Sequence, residues 1–259
     1  MEDPNTIGIA FFLTILAGLS TGIGSTIAYF IKKPKMIYLS FSLGFSAGVM
    51  VYVSFVELLP QALEHIGEIM AIVAFFLGIM FIGLIDIVIP EKENPHSYSG
   101  LSNNAEIKVD NTLMRTGLFT ALAIGIHNFP EGLATFGTAL SNVKLGVIIA
   151  LAIAIHNIPE GISVSMPVFY ATKDKKKAFT YSFLSGVAEP IGAAIGFLIL
   201  MPFLSGEILY SLLAFVGGIM VYISMDELIP VAHQYGQGHI VIFGVILGMF
   251  IMALSLLLL

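Results

Sequence analysis

Apolar residues fill this chain in long blocks that are separated by short polar breaks. Each block approaches the roughly 20 apolar residues that a helix needs to cross a bilayer. We expect helices because lipid provides no water to satisfy the polar groups of an open backbone. The pattern predicts eight membrane-spanning helices, at residues 7–30, 37–60, 68–89, 114–140, 143–170, 178–201, 207–231 and 238–258.

Composition agrees with this pattern. Of the 259 residues, 57% are hydrophobic and only 11% are charged, which is too little polar surface for a soluble domain of this length. We therefore predict an all-α polytopic membrane protein, in which residues 1–259 form one transmembrane domain in the lipid bilayer. The net charge of −6 argues against nucleic acid as a partner. The absence of cysteine excludes disulfides and thiolate metal ligands.

Basic residues predict how the helices are oriented in the membrane. Only Lys144 falls in a loop that follows an even-numbered span, between spans four and five. The other ten basic residues fall in the loops on the opposite side of the membrane, between spans one and two, three and four, or five and six: Lys32, Lys33, Lys35, Lys92, Lys108, Arg115, Lys173, Lys175, Lys176 and Lys177. The positive-inside rule puts these loops in the cytoplasm and both termini outside it. We expect a multi-pass protein of the plasma membrane, with residues 90–113 as a cytoplasmic linker loop.

Two pairs of similar segments indicate an internal repeat. GVMVYVSFVELLP at 48–60 resembles GIMVYISMDELIP at 218–230, at an offset of 170 residues. HNFPEG at 127–132 resembles HNIPEG at 156–161. The members of each pair lie on spans that cross the membrane in opposite directions. The sequence therefore predicts inverted repeats, with spans 1–3 related to spans 6–8 and span 4 related to span 5.

Three carboxylates fall inside predicted spans, namely Glu131, Glu160 and Glu189. A charged side chain at the centre of a membrane helix costs about 2.5–3.5 kcal/mol on insertion scales. Every Lys and Arg is assigned above to a loop, so none is expected deep in a span. Protons, or a cation that is not part of the chain, must therefore neutralise these acids.

The repeated H-N-x-P-E-G motif favours the cation. Its His and Glu are four residues apart and share a helix face, and its Asn lies close enough to a neighbouring helix to add an amide oxygen. Its Pro lacks an N–H, so it should kink the helix and free a backbone carbonyl. Imidazole argues against Mg²⁺ and Ca²⁺, and the missing thiolates argue against Cu(I), which leaves Zn²⁺, Fe²⁺, Mn²⁺ and Co²⁺. With Glu189, the candidate ligands for one or two ions are His127, Asn128, Glu131, His156, Asn157 and Glu160.

HNFPEG followed by HNIPEG, and then by AEP at 188–190, resembles the ZIP (Zrt- and Irt-like) family of divalent metal transporters, and its bacterial zinc-uptake members in particular. The resemblance covers nearly the whole chain. It implies import of Zn²⁺ into the cytoplasm through a mid-membrane site for two metal ions, without enzymatic activity or a catalytic cofactor. The His-Asn pairing in both motifs resembles that of broad-range members, so we also expect Fe²⁺, Mn²⁺ and Co²⁺ to be accepted.

The same resemblance implies further residues and partners. It adds Met50 and Glu57 to the seven candidate ligands. For Glu57, an equal alternative to metal binding is that it is a carboxylate at the helix end, placed at the outer membrane interface. Family members are generally homodimers, and an elevator-like movement of spans one, four, five and six has been proposed for them. Many members carry a histidine-rich third loop, whereas this loop contains only His96.

Two other functions compete with a carrier. A metal-selective channel could use the same buried ligands, and the sequence does not separate it from a carrier. An intramembrane metallohydrolase is disfavoured, because the zinc-hydrolase motif H-E-x-x-H is missing. An ATP-driven pump is also disfavoured, because the chain has no G-x-x-x-x-G-K-[ST] loop.

Overall fold

The computed structural model describes residues 4–31, 35–88, 105–200, 206–236 and 238–258, and in these ranges the regular structure is helical. Short π-helical turns at Ser54–Leu58, Gly196–Leu200 and Ile223–Leu228 each continue a longer helix, which ends at Val53, Ile195 or Tyr222. The helices are α1 (Pro4–Phe30), α2 (Met36–Val53), α3 (Leu59–Ile66), α4 (Glu68–Val88), α5 (Ala105–Ser141), α6 (Val143–Thr172), α7 (Lys175–Ile195), α8 (Gly206–Tyr222), α9 (Ile229–Tyr235) and α10 (Gly238–Leu258).

The prediction of an all-helical, multi-pass membrane protein is confirmed. Among the described residues, seven helical segments are long and apolar enough to cross a membrane, and they correspond to all the predicted spans except the fourth. That span belongs to α5, whose 37 residues are about 55 Å long but carry a polar motif at their centre. Helices α5 and α6 continue through Pro130 and Pro159, so these prolines do not end them.

Much of the predicted linker lies outside the described residues, and so does His96. The end of the linker, from residue 105 onwards, is already helical and forms the first turns of α5.

The eight long helices pack in two groups of four. Helices α1, α5, α6 and α7 all contact one another, and they correspond to spans one, four, five and six. In the other group, α2 packs along α10 and α4 packs along α8. The two groups meet where α2 lies against α6 and where α5 lies against α8. Both copies of the motif therefore lie inside the first group, on adjacent helices.

Glycines allow the helices of the first group to touch backbone to backbone. A methyl group on Gly132 of α5 would overlap the carbonyl oxygen of Glu189 in α7. A methyl group on Gly161 of α6 would overlap the carbonyl oxygen of Thr21 in α1 in the same way. Small residues are typical of close helix contacts in membranes, where packing replaces the hydrophobic effect as the driving force. The last residue of each motif thus fixes how close its helix lies to α7 or α1.

Arg115 corrects the sequence analysis, which assigned it to a loop. It lies in the third turn of α5 and is only 6% exposed. Its guanidinium donates to Asp86 Oδ1 at 2.6 Å and to Glu227 Oε1 at 2.8 Å. The prediction was wrong because α5 begins at Ala105, about two and a half turns before the expected span begins at residue 114, and this carries Arg115 into the contact between α4 and α8.

Replacing Gly132 with Ala tests the close contact between α5 and α7. We expect a loss of about 1–3 kcal/mol in stability, because the added methyl group forces the helices apart. The matched control is Gly125→Ala in the same helix, where an added methyl group meets no atom within 4 Å. Thermal unfolding of the detergent-purified variants measures the difference. Equal melting temperatures for the two variants would show that the contact does not constrain the fold.

Replacing Arg115 with Met tests the buried ion pairs. Two buried carboxylates then lose their partner, which costs about 3–5 kcal/mol. The control is the triple variant Arg115→Met/Asp86→Asn/Glu227→Gln, which removes the charges together and should recover most of the stability. The same thermal unfolding assay compares the two. A single variant as stable as the native chain would contradict the pairing.

Candidate metal centre

The two motifs form a polar centre that is buried in the protein. His127, Asn128, Asn157 and Glu160 have no exposed surface, and Glu131 is 1% exposed. His156 and Glu189 are equally inaccessible, so all seven residues that the motifs suggested as ligands are buried. Buried charged groups need partners, since an unpaired charge in an apolar interior is strongly destabilised.

The histidines and glutamates pair across the two helices. His127 Nε2 of α5 lies 3.0 Å from Glu160 Oε1 of α6, and His156 Nε2 of α6 lies 3.4 Å from Glu131 Oε1 of α5. The shared face of His and Glu within one motif was predicted, whereas the crossing of the pairs was not. Two copies of the motif on adjacent helices thus form one centre instead of two separate ones.

The distances within these pairs suit a shared metal ion. Two ligand atoms that each lie about 2.0–2.1 Å from a tetrahedral Zn²⁺ are about 3.3–3.4 Å apart. The His–Glu separations of 3.0 and 3.4 Å are close to this value. A cation could therefore enter either pair with little movement of the helices.

The asparagines are held with their amide oxygens free. Asn128 donates its amide nitrogen to the Ser185 carbonyl of α7 at 3.1 Å. Asn157 donates to the Ala17 carbonyl of α1 at 3.0 Å and to Glu189 Oε2 at 2.8 Å. In both residues the nitrogen is used, and the oxygen is buried without a hydrogen-bond partner. This is an orientation in which an amide oxygen can bind a cation.

Other polar atoms of the centre are also unpartnered. Of the seven candidate ligands, each has at least one buried side-chain nitrogen or oxygen without a hydrogen-bond partner, and for Glu131 this is true of both carboxylate oxygens. Such atoms are rare in folded proteins, because each costs about 1–3 kcal/mol of desolvation. Imidazole nitrogens, amide oxygens and carboxylate oxygens that converge without partners form a donor set that fits a borderline divalent cation.

Met50 and Glu57, which the resemblance alone implied, lie in α2 and in the π-helical turn that follows it. Ser46, one turn before Met50 on α2, donates to the Pro159 carbonyl of α6 at 2.7 Å, so this face of α2 lies against the second motif. Met50 itself is fully buried in the core. Glu57 lies in the π-helical turn after α2 and is only partly buried.

A cavity of about 360 Å³ connects the centre with the surface. Glu131 and His156 line it, and so do Glu57, Gln61 and His65. Glu57 therefore lies on the wall of the same cavity as two residues of the centre.

A second polar cluster was not identified from the sequence. Ligand atoms of Asp86, Asp226 and Glu227 lie within 4.8 Å of one another. Arg115 occupies this cluster, and Tyr222 donates its hydroxyl to Asp86 Oδ2 at 3.3 Å. The arginine already supplies the compensating charge, so we assign the cluster a structural role. The presence of three acids and one arginine near predicted helix ends was the only signal in the sequence.

Comparison with known proteins identifies the family. Residues 89–256 match the family described as ZIP Zinc transporter. Zinc transporter ZupT of Chlorobium phaeovibrioides is 58% identical over 264 residues, which cover 98% of this chain and 99% of that protein. ZupT proteins of Clostridium perfringens and Streptococcus mutans are each 54% identical, over 99% and 96% of this chain and 98% and 97% of their own lengths.

The resemblance that the two motifs suggested is therefore confirmed, and it extends over almost the full length of the chain. Members of this family are membrane transporters and not enzymes, which agrees with the absence of an H-E-x-x-H motif. With its paired motifs on adjacent buried helices, this chain belongs to the ZIP zinc transporter family.

Proposed function

We propose that the protein is a secondary transporter that imports Zn²⁺ across the plasma membrane into the cytoplasm. The observation that carries this proposal is the set of buried, unpartnered ligand atoms at the crossed His–Glu pairs. The names of the ZupT relatives support zinc as the transported ion. His127, Asn128, Glu131, His156, Asn157, Glu160 and Glu189 would hold the metal, with Met50 close to it and Glu57 on the route to it.

Two ions fit the donor set better than one. Glu131 and Glu160 each face a histidine of the other helix, whereas Glu189 faces Asn157. A first ion would bind between the crossed histidines and carboxylates, and a second would bind between the amide oxygens and Glu189. Three ionised carboxylates compensate most of the positive charge of two divalent ions. Neutral ligands alone would leave that charge uncompensated.

Fe²⁺, Mn²⁺ and Co²⁺ are proposed as further substrates. The centre combines imidazole, amide and carboxylate ligands and contains no thiolate, since the chain has no cysteine. These ions accept such mixed ligands, whereas thiolates would select more strongly for zinc. Competition with Zn²⁺ is therefore expected from all three.

We further propose that the helices form an inverted repeat that includes α5 as the eighth span. Contacts in the first group support it, because they occur in pairs related by an offset of 168 residues between α1 and α7 and of 29 between α5 and α6. The matched contacts are Asn128–Ser185 with Asn157–Ala17, Gly132–Glu189 with Gly161–Thr21, and Gly192–Phe129 with Gly24–Ile158.

Contacts in the other group repeat at the offset of 170 residues seen in the sequence. The matched contacts are Gly48–Val245 with Gly218–Phe75, and Gly78–Phe215 with Gly248–Phe45. The π-helical turns at Ser54–Leu58 and Ile223–Leu228 occupy corresponding positions as well. Inverted repeats of this kind are common in secondary transporters, in which one bundle moves against the other. Here α1, α5, α6 and α7 would carry the metal past the second group.

This mechanism favours a carrier over a channel, since every ion must travel with a moving bundle. We propose that both termini face outside the cytoplasm and that the protein is a homodimer, as expected for the family. The cavity that reaches Glu131 and His156 past Glu57 would then open to the outside.

Loss of the crossed pairs should abolish transport. In the double variant His127→Ala/Glu160→Ala, zinc uptake by proteoliposomes should fall to that of empty liposomes, because one pair of ligands is gone. The matched control is His233→Ala, which removes an exposed histidine at the other end of the chain. Uptake is followed with a zinc-sensitive dye inside the liposomes, at equal amounts of inserted protein.

Three results of this assay would count against the proposal. Native uptake by the double variant would remove the centre from the transport route. Currents typical of an open pore would indicate a channel, whereas saturation and counterflow are expected of a carrier. Failure of Fe²⁺, Mn²⁺ and Co²⁺ to compete with Zn²⁺ would restrict the substrate to zinc.

A further inference from the structure

One wall of the cavity carries metal-binding side chains that lie outside the centre. Glu57, Gln61 and His65 follow one another at intervals of four residues from the π-helical turn into α3, and all three line the cavity. Residues four apart on a helix share a face and are separated by about 6 Å along the axis. The three side chains therefore form a row that leads from the exposed end of α3 towards Glu131 and His156.

We propose that this row is a loading site, in which His65 binds a divalent transition-metal ion first and Gln61 and Glu57 pass it to the centre. This inference rests on the proposed function, which it deepens by giving the route a selective first step. A loading site of this kind would raise the local concentration of borderline metal ions in front of the centre.

His65 has the geometry of a metal ligand. Its Nδ1 lies 2.8 Å from the carbonyl oxygen of Gln61. A carbonyl only accepts, so Nδ1 carries the proton and Nε2 keeps its lone pair. Histidines that bind metals commonly donate their other ring nitrogen to a backbone carbonyl in this way, which fixes the tautomer and the orientation of the ring.

Tyr210 fixes the plane of this imidazole. The two rings are stacked, with centroids 3.8 Å apart and an angle of 16° between their planes. Tyr210 belongs to α8 and also lines the cavity. The exposed histidine is thus held at the mouth by a second helix and is not free to rotate away from it.

The next two residues supply oxygen ligands. Gln61 donates its amide nitrogen to Glu57 Oε1 at 3.3 Å, so its amide oxygen remains an acceptor. Glu57 is partly exposed and faces the same cavity as His156 and Glu131. Along the row, an ion would therefore exchange an imidazole nitrogen for amide and carboxylate oxygens before it reaches the buried centre.

The end of α3 adds an electrostatic attraction. Helix α3 ends at Ile66, and Gly67 follows it with a φ of +79°. The carboxyl end of a helix carries a partial negative charge that favours cations within its last turn. His65 lies in that turn, where a positive metal ion is stabilised.

His233 offers a matched comparison. It is exposed like His65, and its Nδ1 donates to the carbonyl of Ile229 at 2.9 Å, four residues before it. It is not among the residues that line the cavity with Glu131 and His156. Replacing His233 therefore removes an equivalent histidine without touching the proposed row.

The test measures initial rates of zinc uptake against zinc concentration in intact cells that express the full chain and lack their own zinc uptake. His65→Ala should raise the KM for zinc about tenfold, as loss of one supporting metal interaction typically does. Its kcat should stay close to the native value, because the buried centre is intact. His233→Ala should leave both quantities unchanged.

Tyr210 variants test the positioning of the imidazole while His65 stays in place, so they remain informative if His65→Ala fails to accumulate. Tyr210→Leu should raise KM because the ring loses its stacking partner, whereas Tyr210→Phe keeps an aromatic ring and should retain the native KM. Unchanged KM values in both His65→Ala and Tyr210→Leu would overturn the loading site. A fall in kcat without a rise in KM would also overturn it.

The same experiment separates the two proposals. If the native chain takes up no more zinc than His127→Ala/Glu160→Ala, the proposed function fails. If the native chain takes up zinc but the KM values of His65→Ala and Tyr210→Leu equal the native value, the proposed transport function is retained and only the loading site is rejected.

Discussion

The structure depends on three carboxylates that lie in the membrane interior with histidine or asparagine beside them instead of lysine or arginine. Glu131 faces His156, Glu160 faces His127 and Glu189 faces Asn157. The one buried arginine that the structure describes is engaged elsewhere, with Asp86 and Glu227. Several buried polar atoms of the centre therefore have no hydrogen-bond partner. Under the proposed function, an incoming divalent cation would bind these atoms.

Helix packing produces this centre at close range. The motif glycines Gly132 and Gly161 bring α5 against α7 and α6 against α1, and the neighbouring helices then orient both asparagines through backbone carbonyls. The same close contacts that hold the first group together thus orient the amide oxygens of the proposed metal site. Stability and ligand geometry come from the same residues.

The sequence predicted the helices well because each apolar block is uniform and the bilayer fixes its length. It also identified the residues of the buried centre, since charged residues within an apolar block are expected to face the interior of the helix bundle. It could not predict the crossed pairing of His127 with Glu160, because spacing along one helix says nothing about its rotation against the next. For a similar reason, the sequence could not show that the ring of His65 stacks on Tyr210, 145 positions away in the chain.

Arg115 shows the other limit of such reasoning. Its position depends on where α5 begins, and helix ends are the least predictable part of a helix because few interactions fix them. A shift of the helix start by about two and a half turns moved a charge from the expected loop into a buried network with Asp86 and Glu227.

The most direct test of the metal centre is zinc binding to the purified, detergent-solubilised protein by isothermal titration calorimetry. We predict that the native chain binds zinc and that Glu131→Gln/Glu160→Gln, which keeps the shape of both side chains but removes their charge, binds it far more weakly. Equal binding by the native chain and this variant, or no binding by either, would contradict the assignment of these carboxylates to the transported ion.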